Sequence, residues 1–353
     1  MTGPSEKAAL SELPMLLGAL LDLSPAAFAV EALEVRPGDA RADAMVRTPE
    51  RSFVVEYKSS SKMAVVSRAI EQLRRVAGET GAFPLLLVPF LGETARRLCR
   101  EHGVGCLDLS GNAEVKAPGL RIMVEGRPNR FKRVGRPSSA FATKSSRLVR
   151  WLLLHPSRDF TQAELAEATG LDKGHVSRLT GRLLDDGLIR RTEQNEVFVP
   201  DPLLLLDAWK DQYDFEKLHI VKGHLPARSG EARMRQVAQA FSEQSAEYAV
   251  TGLAAAWLLT HFAGFRTLVL YAKTNPGQIL APLGFREEER GANLWVATPE
   301  DDWVFKGASF MDGVRSVGPI QTYLDLKSGL ERSEEAAEQV REHYAKAVAD
   351  ARG

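Results

Sequence analysis

Residues 160–200 read FTQAELAEATGLDKGHVSRLTGRLLDDGLIRRTEQNEVFVP. Thr161 followed three residues later by Glu164 is a capping-box pattern, in which each side chain satisfies the other's backbone N–H at a helix start. Leu165 and Ala168 give that helix an apolar side, and Gly170 ends it in a tight turn. Asp172 can cap a second helix, on which Val176, Leu179 and Leu183 recur at helical spacing and so must face a core. The same spacing leaves Lys173, His175, Ser177, Arg178 and Arg182 on the outer side. DDGLIRR and TEQNEVFVP then read as a strand, a polar tip from Glu193 to Asn195, and a returning strand.

Two helices about a tight turn with a hairpin beside them make a winged helix-turn-helix, whose second helix is presented to the major groove. The stretch resembles the winged-helix domains of bacterial transcription factors. Its outward side chains are donors, or groups that can become donors, and suit phosphate oxygens and guanine edges. Immediately upstream, residues 126–158 hold no Asp or Glu but carry Arg127, Arg130, Lys132, Arg133, Arg136, Lys144, Arg147 and Arg150. Prolines and glycines mark the start of this run as a linker, and its end, SSRLVRWLLLH, turns helical. Such charge neutralises phosphates where the motif needs it. The expected DNA-binding set is Lys173, His175, Ser177, Arg178, Arg182 and Asn195, joined by Arg130, Lys132, Arg133, Arg136, Lys144 and Arg147. His175 has no second ligand at i+3 or i+4, so it reads as a DNA-facing side chain rather than a metal ligand. A helix-turn-helix serving only protein contacts is the competing reading.

At 353 residues the chain has room for two or three domains. Its 44% apolar and 26% charged residues describe a globular protein. Lys+Arg and Asp+Glu both number 46, so no global field draws in nucleic acid or lipid, and such a partner must meet a local patch. Cys99 and Cys106 alone offer neither a disulfide framework nor a four-ligand zinc site, and a cytoplasmic protein is the default expectation. MTGPSEKAALSEL carries acids and lacks an unbroken apolar run, so it does not read as a signal peptide. YAVTGLAAAWLLTHFAGF reads as a buried helix, with His261 a core histidine, because a membrane span wants about 20 clean apolar residues.

Residues 1–125 begin with a helical stretch, SELPMLLGALLDL, and continue through β-rich runs at EALEV, ADAMVRT, SFVVEYK, PLLLVPF, GCLDLS, AEVKA and LRIMVEG. Helical patterns at AVVSRAIEQLRRVAGE and GETARRLCREHG interrupt them, which predicts an α/β domain with one central sheet. In SFVVEYK, alternation puts Glu56 and Lys58 on one strand face and Tyr57 on the other. Asp43 precedes Glu56 by thirteen positions, on what should be the adjoining strand. This D…E-x-K arrangement, with Gln72 on the next helix, resembles the PD-(D/E)xK nuclease superfamily. The resemblance implies a restriction-endonuclease-like domain in which Asp43 and Glu56 would hold Mg²⁺ and Lys58 would orient the attacking water. An ordinary strand with a solvent-facing ion pair, or a nuclease-like fold kept as a scaffold, are the other readings.

The C-terminal third carries YAVTGLAAAWLL, APLGF, GANLWVATPEDDWVF and GPIQTYLDLKSGLERSEEAAEQV. These stretches resemble the C-terminal region of AbiEi-type antitoxins, the transcriptional-regulator halves of type IV toxin–antitoxin, or abortive-infection, systems. The resemblance covers about residues 214–347 and is sharpest at Gln321, Tyr323, Leu324, Asp325 and Leu326, followed by Glu334, Glu335, Ala336 and Ala337. Ser333 stands where a glycine would be expected, and the winged helix sits mid-chain, whereas the better-known antitoxins begin with it. A nucleotidyltransferase-like flavour adds to this: a helix opened by Thr251-Gly252, then the strand TLVLYAK. The strand leads to Ala272-Lys273-Thr274 without paired acids, and strand alternation would send Asp301 and Asp302 to opposite faces. The region reads as a catalytically silent, partner-binding fold.

The expectation is an α/β multidomain protein. Its parts are a restriction-endonuclease-like α/β domain (1–125), a basic linker (126–143), a winged helix-turn-helix (144–213) and a nucleotidyltransferase-like C-terminal domain (214–353). Its function would be DNA-binding transcriptional regulation of the antitoxin type, with double-stranded DNA and a cognate toxin as partners, no membrane and no cofactor. Paired half-sites predict a homodimer. The alternative is a Mg²⁺-dependent nuclease targeted by the winged helix, with Asp43, Glu56, Lys58 and Gln72 as its catalytic set and Asp43 and Glu56 as metal ligands.

Overall fold

The computed structural model describes residues 4–32, 42–131, 140–262, 264–326 and 333–352. The chain divides into two compact units, Met1–Pro137 with Arg182–Leu188, and Ser138–Gly181 with Ile189–Gly353.

In the first unit α1 (Glu6–Leu21) leads into β1 (Ala29–Ala32), β2 (Ala44–Arg47) and β3 (Ser52–Tyr57). Helix α2 (Met63–Thr80) returns the chain to β4 (Phe83–Val88), and α3 (Glu93–Glu101) returns it to β5 (Gly105–Asp108). Strands β6 (Ala113–Ala117) and β7 (Leu120–Val124) complete a sheet whose seven strands lie in chain order. β3, β4 and β5 are parallel because a crossover helix joins each to the next, and the other neighbours are antiparallel hairpin pairs. A parallel centre is covered on both faces, which is why Leu85, Leu86, Leu87 and Val88 of β4 are all buried. On one face Phe53, Val55, Tyr57, Leu85 and Leu87 pack with Ala9, Leu13 and Leu17 of α1. The buried stripe of α2, Val66, Ile70, Leu73 and Val76, belongs to a helix that meets β3 and β4. The first strand starts earlier than EALEV, at Ala29, and the last residues of that run lie outside the described chain.

The second unit opens with α4 (Ser146–Leu154), α5 (Gln162–Thr169) and most of α6 (Lys173–Asp185), whose residues from Arg182 onward count with the first unit, followed by the short strands β8 (Arg190–Arg191) and β9 (Val197–Phe198). The capping box is in place: Thr161 Oγ1 accepts from Glu164 N, and Glu164 accepts from Thr161 N. Gly170 ends α5 at φ 67°, in the left-handed region that favours glycine. β8 and β9 pair antiparallel as the wing, and Phe160 adds a bridge to Val197.

The chain continues through α7 (Pro202–Lys210), β10 (His219–His224), α8 (Gly230–Glu243), β11 (Tyr248–Thr251), α9 (Gly252–Thr260) and β12 (Leu268–Ala272). Then come α10 (Pro276–Leu280), β13 (Arg286–Glu287), β14 (Leu294–Thr298), β15 (Ser309–Met311), β16 (Val314–Ser316), α11 (Pro319–Asp325) and α12 (Ser333–Arg352). Its sheet has the order β13-β10-β14-β12-β11-β16-β15. Side chains tie the winged helix to the rest of this unit. Arg147 pairs with Asp301, Tyr344 OH donates to Leu153 O at 2.7 Å, and Arg352 donates to the carbonyls of Pro156, Val199 and Pro200.

Three expectations are corrected here. YAVTGLAAAWLLTHFAGF is not one helix: its first residues form β11, and Gly252 at φ 59° turns the chain directly into α9. His261 is not a core histidine but the exposed left-handed cap of α9, edge-on to Trp257. Asp301 and Asp302 are parted by a 3-10 turn rather than by a strand: Asp301 caps it and binds Arg147, while Asp302 pairs with Lys273. Among the described residues no helix is long and apolar enough to cross a membrane.

Leu13 is fully buried between α1 and the first sheet. Leu13→Ala is expected to cost about 2–5 kcal/mol, through lost burial plus the cavity left behind. Urea unfolding followed by far-ultraviolet circular dichroism checks this as a lowered midpoint for the first unit.

Candidate nucleic-acid interface

Helix α6 sorts its side chains as its periodicity requires. Val176, Leu179 and Leu183 are buried, while Lys173, Ser177 and Arg178 are exposed, and His175 and Arg182 are half-buried. Asp172 Oδ1 accepts from His175 N at 2.8 Å, which holds the start of the helix. His175 is not free to turn outward entirely, because its Nε2 lies 3.1 Å from Ser145 Oγ at the entrance to α4. That contact brings exposed Lys144 close to the start of α6. On the wing, Asn195 takes φ 66° and accepts a hydrogen bond from Arg191. Arg190 and Arg191 are exposed cations beside it, a pair that the sequence reading left out although the RR step after the DDG turn marks it.

The basic run has several fates. Arg147 donates through Nε to Asp301 Oδ2 at 2.8 Å and through Nη1 to Thr169 O at 3.4 Å. Its charge is therefore matched within the second unit. Arg130 belongs to the first unit, where Nη1 donates to Leu109 O at 3.0 Å. Lys132, Arg133 and Arg136 lie outside the described residues. Arg150 departs furthest from a phosphate-binding role: it is buried, stacked 5.0 Å from the centroid of Trp209, and donates to Gln321 Oε1.

That hydrogen bond enters a buried polar network built on the sharpest C-terminal motif. Gln321 Nε2 donates to Asp325 Oδ1 at 2.7 Å, one turn further along α11. Asp325 also accepts from Thr251 Oγ1 at 2.5 Å, Tyr213 OH at 2.8 Å and Tyr271 OH at 2.9 Å. A guanidinium can only donate and an ionised carboxylate can only accept, so the amide of Gln321 has one orientation that serves both. Tyr323, on the next position of the motif, donates to Asp207 Oδ1 at 2.6 Å, and Arg341 binds the same carboxylate at 2.9 Å. Gln321, Tyr323 and Asp325 are thus read by the protein's own interior. Burial pushes the carboxyl of Asp325 up to about 6, while its four donors hold it down. Burial also raises both tyrosine hydroxyls well above the ordinary range, and the charge of Asp325 adds to this. Desolvation lowers the pKa of Arg150.

In the first unit the structure does bring Asp43, Glu56 and Lys58 together. Asp43 N donates to Val55 O at 3.0 Å, and its Oδ2 accepts from Tyr57 N at 2.7 Å. Glu56 is buried and accepts from Lys58 Nζ, while its Oε2 has no hydrogen-bond partner. Burial raises the Glu56 carboxyl, Lys58 opposes this, and Asp43 reinforces it. Gln72 is half-buried in the middle of α2. Among the described residues no group of three or more His, Cys, Asp or Glu side chains is placed to hold a metal ion, so the fit to Mg²⁺ rests on two carboxylates alone.

Comparison with known families gives two adjoining matches. Residues 143–196 match the MarR family, and residues 199–346 match the family described as transcriptional regulator, AbiEi antitoxin, type IV TA system. No curated protein and no solved structure matches the chain. Together the winged helix and these matches define a DNA-binding transcriptional regulator. More particularly, residues 199–346 support an antitoxin regulator of the AbiEi type, a class that implies a cognate toxin. The match begins earlier than the expected residue 214 and so takes in α7, which supplies Asp207 and Trp209, as well as Tyr213 just beyond it. Neither match is to a nuclease family, and the nuclease alternative gains no support.

Since burial raises Asp325, the folded state holds its proton more tightly than the unfolded chain, whose value is near 3.8. Its contribution to stability is full below about 3.8 and is lost as pH rises through about 6, a change of about 3 kcal/mol. Asp325→Asn removes this dependence, so the stability of wild type relative to the variant is expected to fall between pH 4 and pH 7. Denaturant titrations of both proteins across that range measure it.

Proposed function

We propose that this protein represses its own operon by laying α6 in the major groove, with the wing against the flanking backbone, and that it counters a cognate toxin. The observation that carries the reading is the sorting of α6: three apolar residues fully inward, with Lys173, Ser177 and Arg178 outward. Lys144, Arg182, Asn195, Arg190 and Arg191 add donors around that face. Such donors reach phosphates for affinity and base edges for specificity. A homodimer on an inverted repeat supplies the second half-site.

In this reading the outer domains are scaffolds. The first unit has the succession helix, three strands, helix and strand that supports a restriction-endonuclease-like fold, and Glu56 with Lys58 serves as an internal ion pair. The C-terminal part has the β11–α9–β12 succession that supports a nucleotidyltransferase-like fold. Tyr271 and Lys273 stand along β12 and just after it, where paired acids would be required for transfer, so the domain is silent. No cofactor enters the reading.

Arg178→Ala is expected to weaken binding to the operator about tenfold to a hundredfold and to relax its sequence preference, as loss of a base-edge contact does. Arg147→Ala leaves the salt dependence of binding unchanged, because Asp301 already holds that charge. Mobility-shift titrations at several salt concentrations compare the two. Purified protein with Mg²⁺ leaves the same duplex uncut, and cleavage abolished by Glu56→Ala would reverse the assignment of the first unit.

A further inference from the structure

A cleft of about 240 Å³ opens in the second unit between α4, α7 and the turn that follows β14. Its walls include the aromatic rings of Phe141, Trp209 and Trp303, and Arg150, Gln321 and the hydroxyls of Tyr213 and Tyr271 line it as well. The acidic groups around it all have partners within the unit. Asp214 pairs with Lys217 at 3.1 Å, Glu300 accepts from Thr143 at 2.6 Å, and Asp301 is held by Arg147 at 2.8 Å. Asp325, beneath, accepts from four donors.

Arg150 is placed differently. It is 5% exposed, and among the described residues it forms no ion pair; its one hydrogen bond goes to the neutral amide of Gln321. A guanidinium has five N–H donors, and no described carboxylate touches this one: Asp325, whose charge favours it, lies across the amide of Gln321. Stacked on Trp209, it keeps its planar fork in a fixed orientation. An anion entering the cleft would bond directly to its remaining N–H groups, and bidentate recognition of carboxylate or phosphate is what a held guanidinium does best. The volume is below that of ordinary drug-sized pockets, which limits the occupant to a single ring system.

We propose that this cleft binds a small planar molecule bearing one anionic group, with the anion on Arg150 and the ring among Trp209, Trp303 and Phe141. Binding is read without DNA, so the outcome does not depend on the repressor reading. Full-length protein is titrated calorimetrically with phenyl phosphate and with 4-hydroxybenzoate, each beside the uncharged counterpart phenol. At least one anionic probe is expected to bind about tenfold or more tightly than its counterpart, and the two arms separate phosphate from carboxylate. Arg150→Gln is expected to lose that preference while circular dichroism stays native. Anionic probes that bind no better than their counterparts, or an Arg150→Gln protein with undiminished affinity, overturn the proposal. If Arg150→Gln fails to fold, Ala142→Trp decides. Ala142 is an exposed residue of the lining, and the larger side chain should close the cleft and abolish binding. Unchanged affinity in that variant overturns the proposal equally.

Discussion

Burying the guanidinium of Arg150 against Gln321 and Trp209 is the constraint around which the second unit is arranged. A helix-turn-helix needs only its own small core to form, but α4 carries a charge on its inner side that is almost wholly buried. The surrounding chain answers it with an amide that passes the polarity on to Asp325, two tyrosines and a threonine. Networks of this kind are favourable only when every member is satisfied, so α4, α7, β11, β12 and α11 must keep their mutual positions. Arg341 and Tyr323 on Asp207 repeat the device a short way off. The result is a DNA-reading module whose first helix is held by the antitoxin domain rather than hinged from it.

The winged helix was legible in the sequence because its determinants are local. Thr161 and Glu164 cap each other across three residues, Gly170 takes the conformation its lack of a side chain allows, and the apolar spacing of α6 points to one core. The first sheet was legible for a related reason: its strands follow chain order, so each pairs with its sequence neighbour. Asp43 came to lie beside Glu56 through an ordinary hairpin register, Ala44 opposite Val55.

What escaped was the fate of charges. Eight cations in the run from Arg127 to Arg150 look alike in one dimension, yet Arg147 is answered by Asp301 and Arg150 by Gln321, 171 positions away. No periodicity carries that information. The motif around Gln321 and Asp325 was visible as a string, but only its burial reveals that its polar atoms serve the interior. Arg190 and Arg191 were missed for the opposite reason: a two-residue strand leaves too little pattern to show which way its side chains face.

The tryptophans are distributed unevenly. All five fall between Trp151 and Trp303, within the second unit, and three of them, Trp151, Trp209 and Trp303, surround α4 or the cleft beside it. The indole emission of the intact protein therefore reports on the antitoxin and winged-helix body alone, and melting of the first unit is optically silent at those wavelengths. Indole emission beside far-ultraviolet dichroism on one unlabelled sample would thus separate the melting of the second unit from that of the whole chain.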